Sequence, residues 1–134
     1  MIERLRSSGY RSDEKGFFSW LGVTNYLTQE ATFATLGMVA SMTAGTEIIF
    51  QYLLPAALLD DEDRHIQELF ANRGAVRGEP LVTTFEPAEL AEQVRKLGFA
   101  QVWALAPEEA NARYFANRSD GLRARADHYM GARV

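Results

Sequence analysis

Apolar residues recur along this chain in two patterns, as nearly unbroken short runs and as stripes at helical spacing. Unbroken runs are typical of parallel strands that are covered on both faces, and strands that alternate with helices predict an α/β fold with a mostly parallel sheet and flanking helices. The predicted strands are residues 17–21, 46–54 and 101–105, with a weaker one at 128–134. The predicted helices are residues 2–9, 29–43, 60–70, 87–97 and 107–114.

Capping residues set the boundaries of these helices. Thr28 precedes the second helical stretch, and Gly45 lies where its C-terminal cap is expected. The acidic residues 60–63 favour the positive end of the third helix, and Pro87 suits the first turn of the fourth. Residues 73–80 contain two glycines and are predicted to form a loop.

Composition narrows the class of protein. The chain has 134 residues, of which 47% are hydrophobic, so we expect one domain with a real core. Its formal charge of −4 argues against nucleic acid as a partner. Cysteine is absent, no apolar run reaches the ~18 residues of a membrane span, and the first residues do not resemble a secretory signal. We therefore expect a cytoplasmic protein with no membrane partner.

Common catalytic signatures are missing from the sequence. It contains no G-x-S-x-G, H-E-x-x-H, G-x-x-x-x-G-K or G-x-G-x-x-G pattern, and no pair of nucleophile and base can be named. His65 is expected to be a solvated helix residue. Consecutive carboxylates at residues 60–63 point in different directions on a helix, so we predict no metal site and leave the catalytic residues unassigned.

Several segments in a fixed order resemble the leucine carboxyl methyltransferase-like family of S-adenosylmethionine-dependent methyltransferases. The matching segments are WLGV at residues 20–23, YLT at 26–28, IFQY at 49–52, GEP at 78–80 with FEP at 85–87, and NARYF at 111–115 with RSDGLR at 118–123. The resemblance implies the C-terminal half of a Rossmann-like class I methyltransferase fold. It also implies S-adenosylmethionine as cofactor, and methyl transfer to a carboxylate or hydroxyl oxygen of a small acceptor.

The resemblance also suggests residues for the cofactor. Leu21, Gly22 and Val23, at the carboxyl end of the first strand, would lie beside it, and Tyr26 would close the pocket. The alternative is structural, because Gly22 also suits a tight turn and Tyr26 also suits simple packing.

A second implied set belongs to the acceptor. It consists of Tyr52, Arg113, Tyr114 and Arg118, the last of which is placed to pair with Asp120 near the mouth of the site. These charged residues suit equally well a role in pinning the terminal segments together.

The chain departs from the family pattern at identifiable places. Gln51 replaces the acid of a strand that usually reads Phe-Asp-Tyr, and Glu86 replaces a capping Asp. The glycine-rich loop and the acidic residues that hold the cofactor in the family have no counterpart, so we expect residues 1–134 to be a truncated single domain that lacks the cofactor-binding half.

The missing half has a structural consequence. The fourth strand of a class I methyltransferase normally pairs with the first, and without that partner residues 17–21 would form an exposed apolar edge. We expect a homodimer, or a complementing chain, to bind there. Two functions therefore stay open, a methyltransferase that is active only when completed and a non-catalytic interaction module.

Overall fold

The computed structural model describes residues 2–11 and 13–134, and its centre is a four-stranded sheet. The strands are β1 (Phe17–Trp20), β2 (Glu47–Tyr52), β3 (Gln101–Leu105) and β4 (His128–Arg133). Their order across the sheet is β1, β2, β4, β3. The β1 and β2 strands pair in parallel, whereas β4 is antiparallel to both of its neighbours. Three of the four strands in the described residues thus run the same way, which confirms the predicted α/β fold.

The last strand in the chain lies inside the sheet. It is inserted between β2 and β3, with Gly131 opposite Ile49 on one side and Trp103 on the other. A Cβ atom at Gly131 would overlap the indole of Trp103, at 2.6 Å from Nε1 and closer still to two ring carbons. The glycine that weakens the strand signal in the sequence therefore makes room for the indole ring.

Five helices and three shorter turns connect these strands in the described part of the chain. The helices are α1 (Ile2–Ser7), α2 (Gln29–Ala40), α3 (Asp61–Val76), α4 (Pro87–Lys96) and α5 (Pro107–Ala110). The turns are two 3-10 turns at Thr24–Tyr26 and Ala56–Leu58 and a π-helical turn at Asn111–Phe115 that continues α5.

The predicted helix starts are confirmed. The Thr28 hydroxyl accepts a hydrogen bond from the Ala31 amide at 3.2 Å, and Asp60 caps α3 in the same way at 2.7 Å from the Asp63 nitrogen. Glu86, the less usual capping residue, reaches the Glu89 amide at 2.8 Å. Each cap satisfies a backbone donor that has no partner inside its helix.

Two predicted helix ends are wrong, both because a glycine serves another purpose. The second helix ends at Ala40, with Ser41 as its C-cap, and not near residue 43. Gly45, with φ +86°, is not that cap and instead donates its amide to the Val134 carbonyl in the approach to β2. The third helix continues to Val76 through the predicted loop. Gly74 lies there because a Cβ atom would collide with the carbonyl oxygen of Glu79.

The core lies on one face of the sheet. Along β2 the side chains alternate, so Ile48, Phe50 and Tyr52 are buried while the other face is half-covered. The expectation that residues 17–21 are covered on both faces is wrong, since Phe17, the first residue of β1, is 66% exposed. None of the helices in the described residues is long and apolar enough to cross a membrane.

Candidate functional site

A cavity of about 470 Å³ opens at the carboxyl ends of β1 and β2. Ligands of open α/β sheets bind at this end of the strands, and the volume is that of an ordinary small-molecule site. The wall is largely apolar, built from Tyr26, Leu53, Ile66, Phe70 and Leu81. The remaining lining residues are Gly22, Asn25, Gln51, Gln67, Arg123, Arg125, Ala126 and Asp127.

The turn after β1 forms one side of this cavity. Gly22 has φ +68°, a backbone conformation that residues with a side chain rarely adopt, and nothing lies within 4 Å of the position a Cβ atom would take. Its amide donates to Oε1 of Gln51 at 2.9 Å. The glycine therefore completes a tight turn and at the same time leaves open space over the backbone.

Gln51 connects the two sides of the cavity. Its Oε1 accepts from Gly22, and its Nε2 donates to Oδ1 of Asp127. Its main-chain carbonyl accepts from the buried hydroxyl of Thr24 at 2.6 Å, which ties the turn after β1 to the end of β2. Both ends of the amide are thus engaged, and its orientation is fixed by its partners.

Two arginines of the segment before β4 line the cavity, and they differ in whether an acidic residue pairs with them. Arg125 pairs with Glu62, and its Nε lies 3.3 Å from Oδ1 of Asp63, both acids being on α3. The hydrogen bond from Arg125 is the main cause of the lowered pKa of Glu62, and the charge of Arg123 adds to it. Arg123 itself makes no ion pair within the described residues.

His128 and Tyr52 are not among the residues that line the cavity. Burial lowers the pKa of His128, although the charges of Glu108, Asp127 and Asp63 oppose that shift. Burial also raises the pKa of Tyr52 to about 12, with a contribution from the charge of Glu86. The imidazole and phenol rings are 5.8 Å apart. Burial thus favours the uncharged form of both groups.

The structure brings half of the predicted cofactor residues into the cavity wall. Gly22 and Tyr26 line it, and Tyr26 is 45% exposed. Leu21 and Val23 flank the same turn but are outside the lining set, at 49% and 36% exposure.

The predicted acceptor residues lie elsewhere. Tyr52 is buried in the core. Arg113 pairs with Glu109 one helical turn away, Tyr114 is 66% exposed, and Arg118 pairs with Asp120 within one turn. None of the four is part of the cavity wall.

The sequence analysis did not identify the charged residues that line the cavity. Arg123, Arg125 and Asp127 occupy alternate positions in a non-helical segment, and all three line the cavity. Alternate residues of a non-helical chain tend to share a side, so their spacing was the available signal. No group of histidine and acidic residues among the described positions is arranged to hold a metal.

Comparison with known proteins points to methyltransferases. The chain is 28% identical over 130 residues to YktD of Bacillus subtilis (strain 168), a protein provisionally named as an S-adenosyl-L-methionine-dependent methyltransferase; the match covers 96% of this chain and 42% of YktD. The chain therefore spans less than half of the curated relative that it matches. No protein-family model matches it.

Solved structures share the fold. A DUF574 family protein from Streptomyces avermitilis MA-4680 matches with a TM-score of 0.61 and 14% identity, over 92% of this chain and 46% of that one. A protein from Nostoc punctiforme PCC 73102, provisionally named as an O-methyltransferase, matches with a TM-score of 0.52 and 8% identity, over 91% and 33%. These similarities support a relationship to S-adenosylmethionine-dependent methyltransferases, and the narrower leucine carboxyl methyltransferase-like resemblance stays a prediction.

Proposed function

We propose that this chain forms one side of the ligand site of an S-adenosylmethionine-dependent methyltransferase that methylates an oxygen atom of a small acceptor. The observation that carries the proposal is the position of the cavity at the carboxyl ends of β1 and β2. The similarity to YktD supports the choice of cofactor.

The residues present suit this cofactor. The space over Gly22 lets a ligand approach the backbone, and the exposed rings of Tyr26 and Phe70 offer surfaces for a flat, apolar group. Leu21 and Val23 extend the apolar surface beside the turn. S-adenosylmethionine, when bound, supplies a methyl group on a positively charged sulfur. The contribution of the chain is to hold and orient the reactants and to exclude water.

The charges of the cavity favour an anionic acceptor. A carboxylate is already nucleophilic at neutral pH, so its methylation needs no general base. This suits a cavity wall that contains no histidine among the described residues. Arg123, which makes no ion pair in this part of the molecule, is available to hold such a group. The acceptor itself remains a candidate partner of Arg113, Tyr114 and Arg118, which lie outside the cavity wall.

A calorimetric titration of the purified chain with S-adenosylmethionine and S-adenosylhomocysteine tests the proposal. We expect saturable binding, and we expect Tyr26→Ala to weaken it about tenfold by removing one exposed ring of the wall. Tyr114→Ala is the matched control, because it removes another exposed tyrosine that lies outside the cavity. Absence of binding at concentrations that populate any dimer would refute cofactor binding by this chain.

A second candidate function is that of a non-catalytic interaction module. It is favoured by β1, which is an edge strand of the sheet that the described residues form and carries the exposed Phe17. An open apolar edge is a template for another strand, so a second copy or a complementing chain would bind here. Sedimentation over a wide concentration range should show association that Phe17→Lys weakens. A monomer at every concentration would exclude self-association through β1.

A further inference from the structure

One carboxylate in the cavity has a neutral hydrogen-bond partner and no cation. Asp127 accepts from Nε2 of Gln51, and the part of the chain that the structure describes places no lysine or arginine within ion-pair distance of it. Arg125, two residues away, forms ion pairs with Glu62 and Asp63. A carboxylate has about four lone-pair sites, so one amide donor leaves most of its capacity unused.

The neighbouring histidine does not neutralise this carboxylate. His128 is half-buried, and burial lowers its pKa, which favours the uncharged imidazole. Asp127 therefore stands at the cavity as a negative charge without a counter-charge of its own.

Gln51 fixes the position of this charge. The amide of Gly22 can only donate a hydrogen bond, so Oε1 of Gln51 must face it and Nε2 must face Asp127. The carboxylate is thereby held by a donor that neither repels it nor cancels its charge.

Aromatic rings stand in the same wall. Tyr26 and Phe70 line the cavity with Asp127, and the face of an aromatic ring attracts a cation when the two come into contact. Together with these rings, Asp127 suits a small organic cation that carries an apolar body. Arg123, in the same wall, carries the opposite charge and is the residue proposed above for the anionic acceptor.

We propose that Asp127 is the residue of this cavity that recognises positive charge on the ligand, and that Gln51 is the positioning residue that presents it. The inference rests on the proposed function, in which the sulfonium of S-adenosylmethionine is that charge. S-adenosylhomocysteine has nearly the same shape but an uncharged sulfur, so Asp127 would make the chain bind the cationic form more tightly.

The test compares the binding of these two ligands, by calorimetry, to residues 1–134 in the wild-type form and as the Asp127→Asn variant. The variant keeps the side-chain size and removes the charge, so S-adenosylmethionine should bind about tenfold more weakly while the affinity for S-adenosylhomocysteine changes by less than about twofold. Sinefungin, which carries an amine in place of the sulfonium, should follow S-adenosylmethionine. Asp13→Asn is the control, because Asp13 is an exposed aspartate that pairs with Arg11 away from the cavity.

Gln51→Leu tests the positioning role. It removes the donor to Asp127, and it should lower the ratio of the two affinities while leaving the binding of S-adenosylhomocysteine within about threefold. A purely structural role for Gln51 would lower both affinities together and leave their ratio unchanged, which would overturn that part of the inference.

The outcomes separate the two proposals. Suppose that the wild-type chain binds both ligands and that Asp127→Asn does not change the ratio of their affinities. Recognition of the sulfonium charge by Asp127 is then refuted, and cofactor binding stands. If the wild-type chain binds neither ligand, cofactor binding and the inference built on it are both refuted. Loss of the preference for the cation in Asp127→Asn, with Asp13→Asn unaffected, supports both.

Discussion

Replacing Gly131 by alanine should destabilise the fold, although alanine is usually the better residue in a strand. Gly131 is at the middle of β4, directly opposite Trp103 on β3, and the indole lies over the glycine. A Cβ atom there would approach Nε1 of the indole to 2.6 Å and two ring carbons more closely. Either the ring or the strand must move.

The size of the effect follows from how much of the indole is covered. Trp103 is 42% exposed, so more than half of its surface is buried and would be partly lost if the ring turned outward. Losing roughly 100 Å² of that contact costs about 2.5 kcal/mol at ~25 cal/mol per Å². Alanine regains about 0.5–1 kcal/mol over glycine through the unfolded chain. We expect a net loss of about 1.5–2 kcal/mol in the free energy of unfolding.

Urea unfolding of four proteins tests this reasoning. They are the wild type, Gly131→Ala, Trp103→Ala and the double variant, in which the second alanine should be neutral or stabilising because the ring is gone. Gly37→Ala in α2 is the matched control. A Cβ atom there meets only Leu97, at 3.9 Å, so the same substitution should stabilise the protein by about 1 kcal/mol. Equal effects of Gly131→Ala with and without Trp103 would refute the steric explanation.

Two other predictions concern a helix start and a buried phenol. Thr28→Ala removes the acceptor for the Ala31 amide and should lower the free energy of unfolding by about 1 kcal/mol in urea melts. Thr28→Ser keeps a hydroxyl acceptor and should retain most of this stabilisation. Because the pKa of Tyr52 is raised to about 12 from 10.0, its contribution to stability is complete below pH 10 and is lost as the pH rises towards 12. The loss is at most about 3 kcal/mol, and Tyr52→Phe should show a flatter alkaline stability profile by circular dichroism.

Local signals predicted most of the secondary structure. Residues 101–105 form the predicted strand, and the predicted cap at Thr28 is a local hydrogen bond between residues three positions apart. The glycine signals failed where a glycine makes a long-range contact. Gly45 bonds to the last residue of the chain, and Gly74 accommodates the backbone of Glu79. A glycine that allows close approach and a glycine that allows a turn look the same in sequence.

The cavity depends on a topological fact that no local pattern contains. Because β4 is inserted antiparallel beside β2, His128 lies opposite Tyr52, and the residue before it reaches the carboxyl end of β2. The hydrogen bond between Gln51 and Asp127 therefore joins residues 76 positions apart. Had β4 been added at the outer edge of β3, the same segment would lie two strands away from β2 and three strands away from β1, the strand that leads into the turn at Gly22. Sequence alone identified that turn but not the residues that face it.

The same geometry gives a physical reason for the departure at Gln51. The resemblance implies an acid at this position, and an acid here would face the Asp127 carboxylate with no cation between them. Two carboxylates that share a site cannot both ionise without cost, so one of them would bind a proton or the segment before β4 would move away. A glutamine keeps the acceptor for the Gly22 amide and turns a donor towards Asp127. Among the described residues, Asp127 is thus the one acid of the cavity wall, and the segment before β4 brings it there.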